Sequence, residues 1–109
     1  MPRSQDDGTI LAWITGITRR YTARGSLTDE SRAAAVDELR HLAGDRPDLL
    51  AEVAGLSLGL ADGGASIVPR QYELQAELCV LAGADSELIE RWRPVGAARA
   101  FAARQAHRA

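Results

Sequence analysis

The side chains able to do acid–base, nucleophilic or metal chemistry are few: His41, His107, Cys79 and the carboxylate pairs Asp29/Glu30 and Asp37/Glu38. A metal site needs several His, Cys or carboxylate ligands at spacings that one turn or one helix face can bring together. His41 has Arg40 beside it and only Glu38 near it, an ordinary surface pair, while His107 stands alone in the tail. Cys79 lies among apolar neighbours, which suits a small core residue better than a nucleophile. No Ser, Cys or His arrangement supplies a nucleophile with its base. Helix starts and solvated faces account for the carboxylate pairs. The expectation is a protein that is not an enzyme, with no catalytic residue, no metal ligand and no cofactor.

Any function must then come from surfaces, and composition says which elements build them. Of 109 residues, 46% are apolar but only 5% aromatic, and 20 are alanine. Small side chains favour closely spaced helices over a sandwich of branched strands. One domain is the expectation at this length. All 13 basic residues are arginines, and the formal charge is −2. That total argues against a free-standing nucleic-acid binder, although residues 1–25 and 85–109 each sum to +2 around a middle of −6. One cysteine excludes an internal disulfide. Asp6 and Asp7 precede an apolar run broken by Thr15 and Gly16, so the start is not a convincing signal peptide. No apolar run is long enough to span a bilayer. A soluble, cytoplasmic protein is expected.

Residues 1–8 read as a frayed start. From Thr9, Ile10, Leu11, Ile14, Ile17 and Tyr21 fall at helical spacing, and Gly25 stops the helix. Thr28 caps a second helix, with Val36, Leu39, Leu42 and Ala43 as its buried stripe and Gly44 as its end. In DRPD, Asp45 is placed to cap a third helix with Pro47 in the first turn. That helix, to Ala61, is apolar almost all round, so it belongs at the centre of a bundle or against a partner. Gly55 and Gly59 share one of its faces and would let another helix approach closely, within the chain or across a homodimer seam. A fourth helix follows Pro69, and Asp85 caps a fifth. Pro94 should kink or divide that last helix. The expected domain plan is a frayed 1–8, a bundle over 9–93 and a helical basic arm over 94–109.

The segment 75–93 carries the spacing of a helix-turn-helix. Cys79, Gly83, Ile89 and Trp92 sit where the motif places its small residue, its glycine and its crossing apolar residues. The pattern specifies a helical corner; DNA binding would need the exposed side chains of the second helix. There Asp85, Glu87 and Glu90 would face phosphates, which is unfavourable without lysines. Under that alternative the contacts would be Ser86, Arg91, Arg93 and Arg99.

The runs LLAEVAG and AELCVLAGAD, with LIERW beyond, make residues 45–104 resemble small all-helical proteins of uncharacterised function encoded in actinobacterial genomes, sometimes near mobile elements. The resemblance implies an all-α fold and no chemistry, and Pro94 departs from the more continuous final helix of such proteins. The combined expectation is an all-α bundle of about five helices with a central apolar helix. It would serve as a protein–protein interaction or accessory module, self-associating or regulating a larger partner, with Trp13, Gly55, Gly59, Trp92 and Phe101 as candidate interface residues. The alternative is a helix-turn-helix DNA-binding regulator.

Overall fold

A computed structural model describes residues 5–64 and 69–108. Five helices follow one another: α1 (Gln5–Thr22), α2 (Asp29–Ala43), α3 (Pro47–Asp62), α4 (Pro69–Leu81) and α5 (Ser86–Arg108). The all-α bundle expected from composition is what forms, and no strand occurs among the described residues. α3 is the hub: α5 and α4 both lie along it, and α1 packs on α2, α3 and α4. Its sequence explains this, since every residue from Leu49 to Gly55 is buried.

α1 begins at Gln5, four residues before the expected start. Asp6 and Asp7 occupy its first turn, where carboxylates meet the positive end of the helix dipole. Asp7 is also held by Arg46, whose Nη1 and Nη2 donate at 2.8 and 3.1 Å. The expected fraying of 1–8 therefore fails for its described part, and residues 1–4 lie outside the described residues.

α2 is capped as expected. The backbone N–H of Ser31 donates to Thr28 Oγ1 at 3.0 Å, and the backbone N–H of Thr28 donates to Ser31 Oγ at 2.9 Å. α3 is not. Its N-cap is Arg46 with no side-chain cap, and Asp45 stays exposed. Pro47 removes one N–H that would need a cap, and Arg46 instead bridges Asp48 to Asp7, fastening the start of α3 to α1. Its hydrogen bonds hold the Asp48 carboxyl below the usual range.

α1 and α4 bring buried hydroxyls and an amide into the core. Thr18 donates to the Thr15 carbonyl at 2.8 Å and Thr22 to that of Thr18 at 2.7 Å. Gln75 Nε2 donates to Thr22 Oγ1 at 3.3 Å. The two threonine hydroxyls find carbonyls on their own helix and the Gln75 amide nitrogen reaches across to α1, which keeps the cost of burial low.

α5 runs as one helix through Pro94, so it is not divided. Proline cannot donate to the Glu90 carbonyl, but Glu90 and Pro94 are both exposed, so water can take up that acceptor. The helix also does not leave the bundle at Pro94. Gly96 abuts the Leu56 carbonyl, and Ala100 is fully buried. Residues 94–100 belong to the bundle, and continuous exposure starts at Phe101. Pro94→Ala restores the missing donor on an exposed face, so the melting free energy should rise by about 1–3 kcal/mol. Chemical denaturation with the slope unchanged would measure it.

Candidate functional site

The seam between α3 and α5 is made of glycine. A Cβ on Gly55 would stand 2.5 Å from both the Ile89 carbonyl oxygen and Trp92 Cβ. One on Gly59 would run into the Arg93 carbonyl oxygen and come within 2.7 Å of the Ala97 nitrogen. One on Gly63 would lie 2.6 Å from Ala100 Cβ. The close helix approach expected at Gly55 and Gly59 is real, and the helix that makes it is α5 of the same chain. Both glycines are buried there and are not open to a second copy. Trp92 is half-buried in the same seam, so three of the five candidate interface residues are internal packing.

The other two are on the surface: Trp13 is 62% exposed and Phe101 55%. Phe101 stands on the outer turn of α5 with the Arg104 guanidinium 5.9 Å from its ring centre. Trp13 stands in a built surface. α1 places Trp13, Ile17, Arg20 and Tyr21 along one stripe, and α2 answers with Asp37, Glu38, His41 and Leu42 across an open groove. Spacings of three and four residues put such side chains on one helix face.

Glu38 organises the far end of that groove. Arg20 Nη2 donates to both its oxygens at 2.9 and 2.8 Å, and the Tyr21 hydroxyl donates to its Oε2. The Arg20 guanidinium also lies 5.0 Å from the Tyr21 ring centre. Hydrogen bonds from Tyr21 and then Arg20 hold the Glu38 carboxyl below its usual range, and the bond to Glu38 raises the Tyr21 phenol. The sequence reading paired Glu38 with His41; its partners are instead on α1, and His41 is exposed along the groove.

The helical corner is also present. Gly83 takes φ +110, the Ala84 N–H donates to the Cys79 carbonyl at 3.0 Å, and Cys79 and Ile89 are buried. Asp85 Oδ1 caps α5 through the N–H groups of Glu87 and Leu88 at 3.0 and 3.4 Å. Of the alternative contacts, Ser86 and Arg91 are exposed. Arg93 is bound to Asp62 at 2.5 and 3.0 Å, which holds that carboxyl below its usual range. Arg99 faces away from this group, at the rim of a different cavity.

That cavity, about 210 Å³, lies between α1, α3 and α4 with Arg99 reaching it from α5. Glu52, Ser57 and Gln75 line it and are buried, 7%, 6% and 7% exposed. None of the three is among the site residues expected from the sequence. The signal was a carboxylate in the middle of an otherwise apolar helix, since glutamate is seldom buried unless it is paired. Among the described residues, no group of three or more His, Cys, Asp and Glu side chains could hold a metal, and no helix is long and apolar enough to cross a membrane. Comparison with protein-family models, curated proteins and solved structures gives no match for this chain.

Proposed function

We propose that this chain is a small non-enzymatic, cytoplasmic interaction module that docks a protein partner, a second copy or a larger protein it regulates, on the α1–α2 face. The observation that carries this reading is Trp13. One helical step away Ile14 is fully buried, yet Trp13 is 62% exposed beside Ile17 on the lip of a groove. A tryptophan left in water forgoes much of the largest apolar burial any side chain offers, and such residues anchor protein interfaces. Around it, charged groups already fixed by one another, Arg20 and Glu38, form a polar rim that costs little to order.

Trp13→Ala removes the anchor without touching the core, so the melting temperature should hold while docking weakens by ~30-fold or more. Light scattering over a wide concentration range reads self-association, and capture from the native host reads a larger partner. A wild-type mass of 11.7 kDa throughout, together with host capture unaltered by Trp13→Ala, overturns the proposal.

The second reading is a DNA-binding regulator, favoured by the corner at Cys79, Gly83 and Ile89. Against it stands the exposed face of α5, where Glu87 and Glu90 flank Arg91 and Arg93 is already neutralised by Asp62. Duplex binding that falls steeply with salt would establish this reading, and no mobility shift at low salt would remove it.

A further inference from the structure

The cavity between α1, α3 and α4 has a graded lining. Its outermost residues, Arg19 on α1 and Arg99 on α5, are exposed, whereas Glu52, Ser57 and Gln75 are buried. Leu11, Leu56 and Leu60 supply half-buried apolar wall between them. Neither arginine makes a hydrogen bond or ion pair among the described residues, in contrast to Arg20, Arg46 and Arg93. Two arginines from different helices thus border this one cavity. Gln75 uses its amide nitrogen on Thr22, and its oxygen accepts no hydrogen bond among the described residues.

This lining selects for a kind of molecule. Guanidiniums bind carboxylates in bidentate fashion, which places an anion at the rim. The rim guanidiniums beside leucine walls suit a single anionic group attached to an apolar body. Leucine walls call for an apolar body, and the Gln75 oxygen and Ser57 hydroxyl accept a hydrogen bond from its far end. The volume equals that of roughly seven waters in the liquid, room for a single-ring molecule and little more. We propose that this cavity binds a small organic monocarboxylate with a compact apolar body and a hydrogen-bond donor opposite its carboxylate. The site is separate from the Trp13 face and stands whether or not that face docks a partner.

The probe is 4-hydroxybenzoate, titrated into the full chain and followed by amide chemical shifts and calorimetry. Saturable binding with Kd of order 0.1–1 mM is expected for a ligand of about ten non-hydrogen atoms. Phenol, which lacks the anion, benzoate, which lacks the donor, and acetate, which lacks the body, should each bind more weakly. Arg19→Ala with Arg99→Ala changes two exposed side chains, so the melting temperature should stay and affinity fall by about tenfold or more. Absence of saturable binding to about 10 mM, equal affinity for phenol or benzoate, or an unchanged Kd in the folded double variant overturns the proposal.

Discussion

Gly59→Ala should unfold this protein more readily than any other substitution of one hydrogen by a methyl group. The added Cβ meets backbone on every side: the Arg93 carbonyl oxygen, the Ala97 nitrogen at 2.7 Å and Gly96 Cα at 2.8 Å. No rotamer change relieves a clash with backbone, so α5 must move away from α3 along the seam that also holds Gly55 and Gly63. Overpacking of this kind costs about 1–3 kcal/mol and sometimes more. Alanine returns up to ~1 kcal/mol through helix propensity, so the clash must exceed that for the sign to be destabilising. Contact below 3 Å with three backbone atoms puts it at the upper end. The midpoint of thermal unfolding should fall by roughly 10 °C. Gly16→Ala is the matched control, because nothing lies within 4 Å of a Cβ there and the position is helical and exposed. It should raise stability by about 0.5–1 kcal/mol. Equal midpoints for the two variants would show that α5 does not sit on α3 at this distance.

That seam also shows what could be read ahead of the structure. The i, i+4 spacing of Gly55 and Gly59 announces a close helix contact, because only a missing Cβ permits it, and the structure has that contact. Its partner was not legible: Gly96, Ala97 and Ala100 lie in an alanine-rich stretch whose apolar side chains are too small to form an obvious stripe. A thin apolar face looks like a solvated arm when only side-chain size is counted, yet small size is what the glycines opposite require. Pro94 reinforced the error by marking a break that its place on an exposed face of α5, beside exposed Glu90, makes unnecessary. Caps were legible where the capping atom is local, as at Thr28 and Asp85. They failed at Asp45, where a contact to distant Asp7 recruited the neighbouring Arg46. The site divides along the same line. Trp13 could be nominated from its type, but its exposure depends on how α2 crosses α1. Glu52 interrupts an otherwise apolar helix in sequence, but that it lines a cavity depends on how α1 and α4 pack on α3.

Cys79 gives a reading of that coverage by chemistry. Its thiol is fully buried, and burial alone pushes its pKa from 9.0 up to about 12. The thiolate is the reactive species, so at pH 8 the buried group holds roughly a thousandfold less of it than a free cysteine. Reagent access must come mostly through opening of the α4–α3 packing around it. A disulfide reagent at pH 8 should therefore modify the native chain more slowly than the urea-unfolded chain by the factor that the opening equilibrium sets, about a thousandfold where opening costs about 4 kcal/mol. The linkage has a definite sign. A thiol whose pKa is raised by folding contributes stability that is fully present below pH 9, and the contribution is lost as pH rises from there through 12. The modification rate should climb over that interval faster than thiolate formation in the unfolded chain predicts. Gly59→Ala supplies an internal check, since a loss of about 2 kcal/mol multiplies a globally opened population by roughly thirty. If the variant reacts thirtyfold faster, Cys79 is exposed only when α3 loses its neighbours together. If it reacts at the wild-type rate, α4 opens alone, and the helical corner at Gly83 is a hinge and not a fixed joint.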